Sequence, residues 1–264
     1  MPGTICMKPL HFSPRAFSLI ELLLVISIVM VLVGLLLPAL ANTRDLSLAA
    51  TCASNQHQIG LALPQFGGEH MDLLPREGKS PWLGSLAQSR YIPWVNAVQP
   101  YIAHSRGRDD LSSPLFLDPA HPNPNHLVHY VVNGIGFPRL PRGLDAQESD
   151  RRPAMPLSNL HRPSEMIYLT AFTDDSDNSI ATNALTGDLA DDAGIYDVWR
   201  LPHLLGPDHG SNQYAGNVRR IGLNRHGRGN NVLFADSHVD SRPSEVVQNY
   251  NEWYDGLPWT PERH

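Results

Sequence analysis

Residues 17 to 37 read FSLIELLLVISIVMVLVGLLL, an apolar run interrupted by one acid, Glu21. From Leu19 to Ala41 the polar side chains are Glu21 and Ser27, and a membrane-spanning helix needs about 20 mainly apolar residues. The run therefore predicts a transmembrane helix over 17–41. An ionised carboxylate at the centre of such a helix costs roughly 2.5 to 3.5 kcal/mol on insertion scales, so Glu21 requires a partner or a task. Lys8 and Arg15 precede the helix, while Arg44 just after it is offset by Asp45. The bias of basic residues toward the inner face puts the N-terminus in the cytoplasm and everything beyond residue 42 outside.

A secretory signal has a shorter apolar core that ends in a small-residue cleavage site. Here the order is inverted: a short basic leader, MPGTICMKPLHFSPRA, comes first, then FSLIE, then the long apolar stretch. At these residues the chain resembles the type IV prepilins and type II secretion pseudopilins. The resemblance implies a cut between Ala16 and Phe17 by a prepilin peptidase, methylation of the new N-terminus on Phe17, and retention of the helix as both anchor and assembly element. It also gives Glu21 a role, in which its carboxylate neutralises the terminal amine of a neighbouring subunit in a filament core. A buried charge tolerates that setting only when paired. Ala16 stands where the family more often has Gly, and Pro38 matches a proline that pilin helices commonly carry. An uncleaved signal anchor that merely contains FSLIE is the bland alternative.

Beyond Asn42, Leu48, Cys52, Ile59 and Leu63 recur at spacings of four and seven, one apolar stripe of a helix that would pack on a domain. Gln56 falls on that stripe and breaks it. The spacing predicts one helix from about Ser18 to Leu63, ended or kinked by Pro64 and the Gly67-Gly68 pair. His57 reads as a helix-surface residue and Cys52 as a small buried one. CASNQHQIGLALPQF also resembles a segment that follows the pilin helix in pseudopilin-like proteins of planctomycete and verrucomicrobial bacteria, whose usual pattern has Leu where Gln56 stands.

After residue 60 the chain is punctuated throughout by its prolines and glycines, which argues for short elements joined by many turns. The net charge is −6, and loss of the leader, with Lys8 and Arg15, makes the body more acidic still. An acidic chain with no basic stripe argues against nucleic acid as a partner. The two cysteines are Cys6 and Cys52, so a chain without its leader has no intramolecular disulfide. Residues 82–105 read as one or two short helices packed by Trp82, Trp94, Val98 and Tyr101. Strands are predicted at 115–117, 129–132, 166–172 and 232–235, each bounded by Pro, Gly or Asn. The fold class is thus α+β: a long pilin-like helix, half transmembrane and half amphipathic, packed on a small antiparallel sheet domain with long loops. The organisation is leader 1–16, transmembrane helix 17–41, amphipathic helix 42–66 and globular domain 67–264.

Two loops invite an ion. HPNPNHLVH, 121–129, holds three histidines, but the spacing matches no established zinc pattern. TDDSDNSIATNALTGDLADD, 173–192, offers clustered oxygens with Asp174, Asp175 and Asp177 at its start, and calcium prefers such ligands. The loop lacks the glycine and closing glutamate of an EF-hand, so a solvated acidic loop competes with a calcium site. Near the C-terminus, NRHGRGNNVLFADSHVDSRPSEV resembles the His, nine residues, Asp-Gly segment that ends the same pseudopilin-like proteins, with His226 and Asp236 at that spacing and Ser237 in place of Gly. GRGNN reads as a turn, VLFA as a buried strand and Asp236-Ser237 as a tight turn back. His226 and Asp236 either hydrogen-bond backbone and lock this hairpin, or converge with His238 as a metal or acid/base site. YVVNG at 130–134 and RPSEMIYL at 162–169 extend the likeness in pieces.

The expectation is a single-pass inner-membrane subunit with its domain in the periplasm, matured by prepilin peptidase and built into a type II secretion or type IV pilus-like filament. Its partners would be that peptidase, other pilin or pseudopilin subunits, the inner-membrane assembly platform and the lipid bilayer. It would work through assembly, with no catalytic residue and no cofactor beyond the calcium weighed above. The competing reading is a membrane-tethered periplasmic enzyme or carbohydrate-binding protein that uses the pilin anchor for export, and a surface adhesin is a third.

Overall fold

The computed structural model describes residues 18–75, 78–79, 91–92, 94–102, 113–122, 128–135, 156–173, 196–198, 201–207, 218–227 and 229–255. Contacts divide the chain into two units, Met1–Arg44 and Asp45–His264. Helix α1, Leu19–Glu69, contributes to both.

In the first unit every described residue is exposed, and α1 is long and apolar enough to cross a membrane. Its start is built by two reciprocal hydrogen bonds. Ser18 N–H donates to Glu21 Oε2 (2.9 Å), and Ile20 N–H donates to Ser18 Oγ (3.3 Å). This is a capping box, which satisfies amides that the first turn leaves without intrahelical acceptors. Ser27 and Thr43 turn their hydroxyls onto the carbonyls of Leu24 and Ala39, at 2.8 Å each. These two hydroxyls are therefore satisfied by the helix itself.

In the second unit α1 buries Cys52, Gln56, Ile59, Gly60, Ala62, Leu63, Phe66 and Gly67, the face that the apolar stripe marks. The helix runs past Pro64 to Glu69, beyond the end near Leu63 that the apolar spacing predicts and beyond the 42–66 bounds of the amphipathic segment. Proline removes the N–H that would bond the carbonyl four residues earlier, and Ser237 Oγ takes up that carbonyl, Gly60 O, at 2.7 Å. Termination comes later. Met71 and Asp72 are left-handed (φ 56° and 64°), and Asp72 N–H donates to Gly67 O at 2.8 Å.

Strands β1 (Gly78–Lys79) and β2 (Tyr91–Ile92) form a small antiparallel pair. The main sheet has β3 (Tyr130–Asn133), β4 (Ile167–Ala171), β5 (Asp197–Val198), β6 (Gly229–Phe234) and β7 (Val239–Pro243), in the order β5-β3-β4-β6-β7. All pairings are antiparallel except β3 with β5. Every residue of β3, β4 and β6 is buried. Strands covered on both faces lack polar alternation, which is why YVVN, IYLTA and NVLF stand out in the sequence. Trp94 from helix α2 (Trp94–Val98) packs edge-on against Phe116 at 5.7 Å and joins the same core. The short helices α3 (Pro202–Leu205) and α4 (Ser244–Val247) complete the described elements of this kind.

The α+β arrangement is as expected, with one strand misassigned. Leu115 and Phe116 belong to a 3-10 turn, Pro114–Phe116, that ends at the extended Leu117, because Pro114 sits in its first turn and Ser113 Oγ caps it by accepting from Leu115 N–H (3.4 Å). Asn133 ends β3 by donating to both Ile167 O and Trp253 O (2.7 Å each). Asp255 pins the approach to β4 by accepting from the N–H groups of His161 (2.7 Å) and Arg162 (2.6 Å).

Candidate functional site

The C-terminal hairpin sits directly on α1. A Cβ at Gly60 would meet Leu233 Cδ1 at 2.8 Å and Ser237 O at 3.1 Å, so the helix approaches the β6–β7 turn as closely as its backbone permits. Ser237 adopts φ 74°, the conformation that glycine holds without strain. Its bond to Gly60 O offsets that strain. Gln56, the apparent break in the apolar stripe, donates from Nε2 to Asn231 O on β6 (3.1 Å). Asn231 Nδ2 answers by donating to Ala49 O (2.6 Å). A buried amide is retained here because it fastens helix to strand.

The turn before β6 is equally constrained. Asn230 accepts from Arg225 N–H (2.9 Å) and donates to Gly222 O (2.5 Å), while His226 N–H donates to Gly229 O (2.9 Å). A Cβ at Gly229 would collide with the carbonyl of Arg242, so this turn demands glycine. The result aims the His226 imidazole inward, where its side chain is 3% exposed.

There it meets a residue that the sequence reading did not single out. His226 Nε2 lies 3.5 Å from Asp118 Oδ2, and Arg225 Nε lies 3.7 Å from the same oxygen. Asp118 follows the 3-10 turn, and its other oxygen accepts from Ala120 N–H (2.9 Å). Its own N–H donates to His129 Nδ1 (3.0 Å). The third member is Cys52 of α1. Cys Sγ, a carboxylate oxygen of Asp118 and a ring nitrogen of His226 all lie within 4.8 Å of one another. Gln56 Nε2 donates to Cys52 Sγ at 3.7 Å, and Tyr130 Oη, shared with Leu117 O, lies 3.5 Å from it. Beyond their 3.5 Å ion pair, Asp118 Oδ2 and His226 Nε2 make no hydrogen bond of normal geometry, and Gln56 Oε1 is buried without one.

Burial, with the Asp118 charge next, drives the Cys52 thiol far above its ordinary range, so it is a neutral thiol at pH 7. Burial acts on Asp118 in the same upward direction. The His226 imidazole, Ala120 N–H and the Arg225 guanidinium outweigh it and hold the carboxyl below its usual value.

The other predicted positions fall elsewhere. Asp236 turns to His238, pairing with its Nδ1 at a partly exposed site, and the His238 ring stacks on Phe234. His226 and Asp236 therefore bond different partners, and no site forms from His226, Asp236 and His238. Among the histidines of 121–129, the rings of His121 and His129 stack at 4.0 Å. Ala16, Phe17, Asp174, Asp175 and Asp177 lie outside the described residues. Glu21 is the acceptor of the α1 capping box.

Asp118 left a faint sequence signal, a single acid closing the apolar run PLFLDP. Cys52 and His226 are 174 residues apart in the chain, and their meeting is what the sequence alone did not reveal.

The chain has a long N-terminal apolar helix whose second part packs on a small sheet, which is a pilin-like architecture. No family model, curated protein or solved structure matches it.

Proposed function

We propose that the chain is a pseudopilin- or pilin-like subunit, cut by prepilin peptidase before Phe17 and assembled through α1 into a type II secretion or type IV pilus-like filament. The observation that carries this reading is the division of labour along α1. Its first part is apolar and exposed on every side, and its second part is fastened to the domain by packing and by Gln56 and Gly60. A helix exposed on all faces needs lipid or other helices around it. In the mature subunit the domain faces the periplasm and function resides in assembly.

The capping box refines the role of Glu21. The carboxylate that accepts from Ser18 N–H sits one residue from the amine that cleavage would create on Phe17. It is thereby held at the N-terminus of α1, where helix partial charge and a terminal amine both favour an anion. Mass spectrometry of the mature N-terminus, in hosts with and without prepilin peptidase, tests the class. N-methylated Phe17 is the expected product, and an intact Met1 or a cut beyond Leu37 overturns it. Glu21→Gln keeps an acceptor for the cap and removes the charge. If pairing with a neighbour's amine is the role, Glu21→Gln is cleaved and inserted but fails to enter filaments; normal incorporation would assign Glu21 to capping alone.

A further inference from the structure

We propose that Cys52 Sγ, Asp118 Oδ2 and His226 Nε2 form a binding site for a zinc-class divalent metal ion, which fastens α1 to the sheet domain. The three groups come from α1, the loop after the 3-10 turn and the turn before β6, so one ion would tie three separate segments together. Thiolate, imidazole and carboxylate are the ligand set of zinc and its first-row neighbours, whereas calcium and magnesium take oxygen alone.

Two observations point to a cation here. Asp118 Oδ2 and His226 Nε2, on side chains that are 0% and 3% exposed, face each other at 3.5 Å, and neither makes a hydrogen bond of normal geometry. Buried polar atoms held only by so long a contact are rare in native interiors, and a ligand, a water or an ion between them would satisfy both. The second is the sulfur environment. A thiol is a weak acceptor, yet Gln56 Nε2 donates to Cys52 Sγ and Tyr130 Oη, shared with Leu117 O, lies within reach of it, an arrangement suited to a metal-bound thiolate and its supporting shell. Gln56 Oε1, on the side chain whose Nε2 donates to Cys52 Sγ, is also buried without a partner.

The spacing is compatible with binding. Metal–ligand bonds of about 2.0 to 2.3 Å require the three atoms, now within 4.8 Å, to close by about 1 Å. Arg225 Nε, 3.7 Å from Asp118 Oδ2, opposes the cation, but thiolate and carboxylate together exceed its single charge. Binding forms the metal–sulfur bond and breaks the Cys52 S–H bond, with the proton leaving to solvent. Affinity therefore rises with pH.

The test uses the full chain in detergent micelles, stripped with a chelator and titrated with Co²⁺ and then Zn²⁺. The expected result is one equivalent of cobalt per chain with a thiolate-to-cobalt charge-transfer absorption, displaced by zinc, with release of a proton. Cys52→Ala abolishes that absorption. His226→Gln weakens binding by at least the roughly tenfold loss seen for supporting groups. His57→Ala, an exposed control on the same helix, leaves it unchanged. The proposal is overturned if the unaltered chain shows no thiolate absorption, or if Cys52→Ala binds one equivalent with the same affinity. Either result would identify Asp118, His226 and Arg225 as a metal-free ion-pair cluster.

Discussion

The two parts of α1 share a backbone and differ in what surrounds them. Up to Arg44 every described side chain is exposed and most are apolar. From Cys52 to Gly67 one face is buried, and it includes a glutamine and two glycines. The comparison teaches that apolar content alone does not mark which part of a helix holds a domain together. The first part is more hydrophobic and contributes no buried side chain to the core. The second is less so, and its polar Gln56, its small Gly60 and its proline-freed carbonyl are each matched by a specific group on the β6–β7 hairpin.

The largest expected effect separates the two parts directly. Leu63 is fully buried in the core, and Leu63→Ala is expected to destabilise the domain by about 2 to 5 kcal/mol through lost transfer energy and a residual cavity. Leu32→Ala, at an exposed position, is expected to leave the unfolding midpoint of the domain unchanged. Urea denaturation in micelles, followed by tryptophan fluorescence from the buried Trp94 and Trp253, measures both. Equal shifts would erase the distinction.

A smaller effect tests how closely the parts are approached. Gly60→Ala would press a methyl against Leu233 and the Ser237 carbonyl, and overpacking of this kind typically costs about 1 to 3 kcal/mol. At Gly34 an added Cβ meets nothing within 4 Å. Gly34→Ala is expected to raise helix content slightly, since glycine in a helix interior is worse than alanine by about 0.5 to 1 kcal/mol. Circular dichroism and the same urea midpoint report the two outcomes, and a neutral Gly60→Ala would show that the helix–hairpin contact is looser than its geometry.

Much of this fold was legible because it rests on periodicity. The stripe Leu48, Cys52, Ile59, Leu63 located the packed face, and the uninterrupted apolar runs located β3, β4 and β6. Elements decided by partners far along the chain were hidden. β5 is two residues, Asp197–Val198, defined by its parallel pairing to β3, and β7 is the polar edge strand VDSRP, defined by its ladder to β6. The 3-10 turn at Pro114–Phe116 carries a strand-like apolar triplet, and its capping serine decided otherwise. Gln56 looked like a defect because its partner, Asn231 O, lies on β6. The same holds for the buried cluster: Cys52 and His226 were each noticed, and Asp118, which brings them together, was not.

The cluster gives a pH-dependent difference between the parts. The Asp118 carboxyl is held below its usual range in the folded chain, so the unfolded chain binds its proton more readily. Stability linked to Asp118 is then present above the unfolded value, about pH 4, and is lost as pH falls through the folded value. Urea midpoints from about pH 7 to about pH 3, taken with chelator present, should fall more steeply for the unaltered domain than for Asp118→Asn. Parallel acid limbs would remove Asp118 from the linkage.

The smallest expected effect isolates one hydrogen bond. Pro64 is exposed, and its missing N–H leaves Gly60 O to Ser237 Oγ. Ser237→Ala removes that donor while keeping a side chain at φ 74°, an expected loss of about 1 kcal/mol. Ser237→Gly loses the same bond but releases the strain, so it should be closer to neutral. In a Pro64→Ala background the helix supplies its own N–H to Gly60 O, and Ser237→Ala should then cost less. A double-mutant cycle by urea denaturation measures the coupling, expected at about 0.5 kcal/mol or more for groups in direct contact. Pro38→Ala, in the exposed part of α1, should show no coupling to Ser237. Additivity between Pro64 and Ser237 would mean that the hydroxyl merely occupies the turn, and that the helix continues past Pro64 on packing from Leu63 and Phe66 alone.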